Sequence, residues 1–416
     1  MLQRPAMSFE GRLIFTGRAL RTFAFGFLSL VLALNLERRG LSAWAIGAVF
    51  TATLVEDAVA TALIASFAQR LGRRRVLIAS AWVMVLAGLG LAFASHPLVL
   101  VVAAIFGTLS PSGQEAGPFS PLEQALLPAT APASARTRVF AWYNVFGYIP
   151  AALGALFAGG WLGLASCRGT EAGQAEHGLL LLYTALGVLL ACVYWVLPRA
   201  LDAPDSSNSA SPGRWGLGRS RAVVLQLAAL QGLDALAGGF IVQSLLVYWF
   251  ARRFGFGAET LGPLFFGTNL LSALSFLAAA RVATRFGLLN TMVFSHLPSS
   301  VLLLLVPLAP GFQLAAGLLL ARHLLSQMDV PTRQAYAMTL VAAEERPAAA
   351  GITTSVRALA QALAPAFTGL ALKDGRQRSA VLPGGRPQDR LRHRPVLPLP
   401  QGGAAGAALT LARAGR

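Results

Sequence analysis

An all-α membrane fold is what this sequence predicts, built as two six-helix bundles related by a pseudo-twofold axis, with the twelfth helix missing or degenerate. Three observations predict it. The first 372 residues match themselves at an offset of 215. Arg38, Gly40, Ala43, Gly47 and Phe50 line up with Arg253, Gly255, Ala258, Gly262 and Phe265. Ala65, Ala68, Arg70 and Gly72 meet Ala280, Ala283, Arg285 and Gly287, and Pro150, Ala151 and Gly154 meet Pro365, Ala366 and Gly369. Hydrophobic residues make up 55% of the chain and charged ones 12%, about half the usual globular share. Finally, long apolar runs are separated by short arginine-bearing gaps, which suits helices that each satisfy their own backbone in lipid.

A helix needs about 20 apolar residues to cross the hydrocarbon core. That yardstick places spans near 18–36, 43–67, 76–95, 97–116, 139–163 and 178–197, then near 223–250, 260–280, 289–308, 311–330 and 350–372. Residues 1–197 form the first bundle. The stretch 198–221 carries Ser206, Ser207, Ser209, Ser211, Pro212 and Gly213, the composition of a solvated linker. Residues 222–372 supply five spans of the second bundle. The repeat calls for a twelfth near 393–412, but that stretch holds three prolines after Arg394. Each proline inside a helix costs about 3 kcal/mol. Residues 373–416 are therefore read as a basic, proline-rich tail whose reading frame has been lost, or else as a natural disordered tail; the coding DNA decides.

The net charge of +17 falls mainly in loops, so it orients the chain in a membrane rather than marking a nucleic-acid face. With the N-terminus in the cytoplasm, Arg4, Arg12, Arg18, Arg21, Arg70, Arg73, Arg74, Arg75, Arg136 and Arg138 fall inside, as do Arg199, Arg214, Arg219, Arg221, Arg281, Arg285, Arg333 and Arg346. The other side has Arg38, Arg39, Arg168, Arg252 and Arg253. Eighteen against five fixes the expected topology. The plasma membrane of a bacterium is the expected location. The one lysine, Lys373, lacks the neighbours of a phosphate-binding loop, so transport would draw on a gradient. Cys167 and Cys192 give no disulfide framework or metal spacing. No cofactor or metal is expected.

The segment from Ala65 to Arg74, ASFAQRLGRR, resembles the GxxxDRxGRR signature of the major facilitator superfamily, departing at Ala65 and Gln69. Its second copy retains Arg285 and Gly287. The resemblance spans residues 10–372 and includes SPSGQEAGPF, FAWYN and SQMDVPTRQAY. It implies two bundles rocking about a central site. Arg70, Gly72, Arg73, Arg285 and Gly287 are then gating or anchoring residues; Gln69 cannot supply the charge that latches the halves in the family. The fourth span lacks the arginine of the family's drug–proton antiporters, and Gly147, Pro150, Gly154, Gly159 and Gly160 match their fifth-span pattern only loosely.

Charges inside a bilayer cost roughly 2.5–3.5 kcal/mol each on insertion scales, so they mark a cavity or a partner. Asp57 in the second span and Arg357 in the eleventh lie at similar depth; the resemblance implies that these two spans adjoin, so an ion pair between them at the seam of the halves is expected. Ser112-Gly-Gln114-Glu115 and Ser326-Gln327-Met328-Asp329 recur at an offset of 214. The resemblance implies that spans one, four, seven and ten surround the central cavity, so Glu115 and Asp329 are expected to face each other across the pathway, with Arg333 one turn beyond Asp329; local caps at the interface are the alternative. Gln231 and Asp234 share a helix face in the seventh span. His296 and His323, alone in apolar runs, read as satisfied core residues ahead of proton relays. The leading reading is a monomeric secondary transporter that moves a small solute, with a proton or other ion and in the direction of efflux. A defective transporter and a polytopic enzyme are the alternatives; HExxH, GxSxG and clustered histidines are absent.

Overall fold

The computed structural model describes residues 7–94, 96–107, 109–114, 117, 119–130, 132, 136–198, 220–342 and 345–380. Fourteen α-helices are found among them. In chain order these are α1 (Phe9–Arg38), α2 (Ala43–Leu71), α3 (Arg73–Phe93), α4 (Pro97–Phe106), α5 (Phe119–Leu126), α6 (Arg136–Cys167) and α7 (Ala172–Val196). The second half has α8 (Arg221–Gly239), α9 (Gln243–Phe254), α10 (Ala258–Phe286), α11 (Leu288–Leu305), α12 (Phe312–Ser326), α13 (Asp329–Thr339) and α14 (Arg346–Ala380).

The repeat is visible in the backbone. Helices α2, α3 and α4 open at Ala43, Arg73 and Pro97; α10, α11 and α12 open at Ala258, Leu288 and Phe312, each 215 positions on. The turns match as well. Gly40 and Gly255 have φ of +92° and +77°, while Gly72 and Gly287 have +89° and +84°. Any side chain would be strained there, which accounts for the four glycines. Repeat mates also touch. Ser244 Oγ donates to the Ser29 carbonyl oxygen at 2.8 Å, and Arg252 pairs with Glu37. Residues related by a twofold axis meet where they lie beside it, so both pairs trace the axis between α1 and α9.

Two equivalent seams join the halves: α2 packs on α14, and α6 packs on α10. Small residues permit the approach, as is usual between helices in lipid. A Cβ on Gly262 would stand 2.7 Å from Gly159 Cα, and one on its mate Gly47 would stand 2.9 Å from Gly369 Cα. All of these contacts lie toward the end of the molecule reached by the C-terminus of α1, called the distal end below. There Tyr248 also donates to Glu37 at 2.9 Å, and Thr51 Oγ1 accepts the Ala366 N–H at 2.9 Å.

Eight segments among the described residues are long and apolar enough to span a bilayer: Phe9–Arg38, Ala43–Thr61, Arg73–Phe93, Trp142–Cys167, Ala172–Val196, Arg221–Phe254, Ala258–Phe286 and Leu288–Leu308. Their outer faces are bare hydrocarbon; Trp195 and Phe294 are 67% and 72% exposed, which suits lipid rather than water. Three of the eleven expected spans fall short for physical reasons. The run at 97–116 stops at Phe106 and unwinds through Gly113 and Gly117, both at positive φ, before the short helix α5. The run at 311–330 breaks at Gln327 into α12 and α13. Helix α14 is diluted by Arg357 and Gln361. The seventh span, 223–250, is also two helices, separated near Phe240–Val242. Helix α14 continues past Leu372 to Ala380, eight residues into the expected tail. Most of the linker and the expected twelfth span lie outside the described residues.

The arginine tally needs correcting. Helix α1 starts at Phe9, capped by Ser8, whose Oγ accepts the Gly11 N–H at 3.3 Å. It therefore carries Arg18 and Arg21, 4% and 0% exposed, inside the bundle rather than in a loop. Arg333 lies on a cavity wall. Without these three the asymmetry is fifteen against five.

Leucine at Gly47 or Gly262 should overpack the seams and cost about 1–3 kcal/mol. Thermal unfolding in detergent measures it, with Gly160→Ala, whose Cβ meets open space, expected to match or exceed the parent.

Candidate functional site

A cavity of about 950 Å³ lies between the halves and is lined by both. The broken helices meet at it: Ser112 and Gln114 from the unwound segment after α4, Phe240 to Gln243 from the break between α8 and α9, and Gln327 and Asp329 from that between α12 and α13. Irregular backbone is tolerated at membrane depth where it faces a cavity and finds partners. Here it does. Gln114 N–H reaches Ser110 Oγ at 3.1 Å, the Pro111 carbonyl accepts the Ser244 N–H at 2.9 Å, and Asp57 accepts the Gly117 N–H.

A chain of polar side chains crosses the cavity floor. Gln114 Nε2 donates to Asn269 Oδ1 at 2.9 Å, Asn269 Nδ2 to Gln243 Oε1 at 3.0 Å, and Gln243 Nε2 to Ser29 Oγ at 2.7 Å. Tyr148 O–H donates to Gln327 Oε1 at 2.9 Å, also between halves.

The wall formed by the second half carries an ionic cluster. Arg333 Nη1 lies 2.9 Å from Asp234 Oδ2 and 2.8 Å from Asp329 Oδ2. Arg357 Nη1 lies 3.3 Å from Asp234 Oδ2. His296 stands between the acids, with Nε2 3.2 Å from Asp234 and Nδ1 3.4 Å from Asp329. Asp234 comes from α8, His296 from α11, Asp329 and Arg333 from successive turns of α13, and Arg357 from α14. The cluster thus ties four helices together.

Four expected pathway residues, Gln114, Asp234, Asp329 and Arg333, do line the cavity. Gln231 is buried beside it; its backbone carbonyl oxygen meets Arg357 at 3.5 Å. Glu115 lies outside the described residues, as does the side chain of Arg70. The expected Asp57–Arg357 pair is replaced: Arg357 turns to Asp234, and Asp57 caps the unwound segment of the fourth span. Equal depth does not put two side chains on facing sides of their helices. In the signature loop, Arg74 donates to the Trp195 carbonyl oxygen at 2.5 Å. Arg73 is half-buried, and Gly72 supplies the turn. Arg285 is exposed beside the Phe286 ring, and Gly287 turns the chain into α11.

Sequence reasoning undervalued His296, which is a cavity residue between two acids, and missed Arg322, Asn269 and Tyr148. A charge or amide deep in an apolar run was the available signal. It also missed a sealed network in the first half. Arg21 Nη1 and Nη2 meet Glu123 at 3.0 and 2.9 Å, Tyr143 O–H donates to Glu123 at 2.6 Å, and Tyr194 O–H donates to it at 2.5 Å. Both charged side chains are fully buried. This pair welds α1, α5, α6 and α7, and loss of one partner from such a pair costs about 3–5 kcal/mol.

Two broken-helix bundles around a charged central cavity define a membrane transporter fold. The chain belongs to the Major Facilitator Superfamily, whose family model matches residues 14–371. It is a transporter and not an enzyme. It is 27% identical over 389 residues to an uncharacterized membrane protein of Saccharomyces cerevisiae, a match that covers 86% of this chain and 87% of that one. Among solved structures it resembles the nucleoside transporter NupG, with a TM-score of 0.70, 14% identity and 98% of each chain covered. It also resembles a D-xylose–proton symporter, with a TM-score of 0.63, 16% identity and 87% and 89% covered.

Proposed function

We propose that this protein moves a small polar solute by alternating access, coupled to protons through Asp234, His296 and Asp329. Residues 1–197 and 222–372 rock as bodies about the cavity. The seating of His296 carries the reading: each ring nitrogen faces a carboxylate within 3.4 Å. A neutral imidazole has one N–H donor and a protonated one has two, so the protonated ring alone donates to both acids. Loss of the proton frees one carboxylate from α11 and alters the ties among α8, α11 and α13. Protonation and helix arrangement are thereby linked. Asp234 and Asp329 keep Arg333 between them in either state.

Tight contacts at the distal end and a cavity beyond them fit a state open toward the end that carries the N-terminus. With fifteen arginines against five, that end is assigned to the cytoplasm. Efflux is the proposed direction; import by symport would use the same scaffold, and the polarity of the pH gradient that drives accumulation distinguishes the two. The symporter likeness concerns another protein, and it supports proton coupling here as an available use of the fold.

The chain should be purified, reconstituted in liposomes and offered labelled nucleosides, sugars and organic acids under an imposed pH gradient. Gradient-driven accumulation of at least one solute is expected. His296→Gln should abolish accumulation yet keep solute exchange at equal pH. Accumulation indifferent to the gradient, or unchanged in His296→Gln, would overturn the coupling. For topology, a cysteine at Ser8 in a chain lacking Cys167 and Cys192 should react with an impermeant thiol reagent only after cell lysis; labelling of intact cells contradicts the assignment.

A further inference from the structure

We propose that the solute is an organic anion, a carboxylate or a phosphate ester, whose charged group docks on Arg322 of α12 and is shared with Arg18 of α1. This rests on the reading of the cavity as the solute site. Among the described lining residues, four guanidinium groups (Arg18, Arg322, Arg333 and Arg357) face two carboxylates, Asp234 and Asp329. Those two acids are already engaged by Arg333, Arg357 and His296. Arg322 has no ion pair among the described residues, and its buried Nε has no hydrogen-bond partner.

A guanidinium at this depth without a counter-ion is costly, so its orientation should have a cause. His323 supplies the orientation. Its Nδ1 lies 2.8 Å from the Leu319 carbonyl oxygen, to which it can only donate. The neutral ring then presents Nε2 as an acceptor, and Arg322 Nη1 lies 3.3 Å from it. The neutral imidazole holds Arg322 in place without giving it an ion pair. His323 is thus a positioning residue.

Across the cavity, Arg18 is stacked on the Tyr143 ring, 3.6 Å from its centre, and also lines the space. The two arginines belong to different halves. An anion docked on Arg322 and reached by Arg18 bridges the halves and draws α1 toward α12, the movement needed to close the open end. Among the described lining residues, a cation would instead meet a surplus of positive charge. Carboxylate and phosphate each present pairs of oxygens that the planar fork of a guanidinium can engage two at a time.

The test uses the purified full chain in detergent at constant ionic strength. Thermal unfolding is followed with succinate, benzoate and phenyl phosphate, against the neutral benzamide and the cation benzylammonium. At least one anion should raise the midpoint saturably, and benzamide and benzylammonium should not; benzoate against phenyl phosphate separates carboxylate from phosphate. Arg322→Gln should weaken that anion by about 10-fold or more, and Arg322→Lys by less. No stabilisation of the parent chain by any of the three anions would overturn the proposal. So would equal stabilisation by benzamide or benzylammonium, or unchanged affinity in Arg322→Gln. The parent-chain comparison holds even if a variant fails to fold. Anion binding without movement in liposomes would sink the transport reading alone; proton-driven movement of an uncharged solute with no anion binding would sink this one alone.

Discussion

A charge carried into hydrocarbon must meet another charge or a wet cavity, and this constraint shapes both halves of the molecule. The halves answer it differently. In the first, Arg21 and Glu123 close on each other with two tyrosines and leave no exposed surface on either charged side chain. In the second, Asp234, Asp329, Arg333, Arg357 and His296 satisfy one another on the wall of the cavity. Leu236 and Met338 stand where the first network would recur; Ala19, Pro118, Trp142 and Ala81 stand where most of the second would, and Asp329 alone keeps an acidic mate, Glu115, at an offset of 214. The duplication kept the helices, the turns and the seams, and the charges diverged. One half is braced and the other is wired to the cavity.

Much of the scaffold was legible because it depends on short-range rules. Glycines that must take positive φ recur in register, and apolar runs of spanning length lie between them. The helix breaks were not legible from run length, since a window of about 20 residues averages over a few serines and glycines. Those breaks are where the polar backbone of the cavity comes from. Arg18 and Arg21 were placed in a loop because apolarity begins near residue 18, whereas the helix begins at Phe9.

The site was legible in composition but not in pairing. Depth along a helix can be counted from the sequence; the face a side chain takes among neighbours cannot be counted across helices that pack far apart in the chain. Hence Asp234, Asp329, Arg333 and Arg357 were all singled out, yet Arg357 was given the wrong carboxylate. His296 looked isolated because its partners lie 62 positions before it and 33 after it.

Distal contacts between repeat mates, Ser29 with Ser244 and Glu37 with Arg252, join the halves at one end. Because mates meet there, the second conformation should use the equivalent surfaces at the opposite end, around the Gly72 and Gly287 turns. The most direct measurement is a pair of spin-label distances, Leu71 to Phe286 at one end and Leu41 to Phe256 at the other, in a chain lacking Cys167 and Cys192. When pH or a transported solute is changed, one distance should lengthen as the other shortens. Two distances that stay fixed, or that rise and fall together, would contradict rocking of like bundles about a central site.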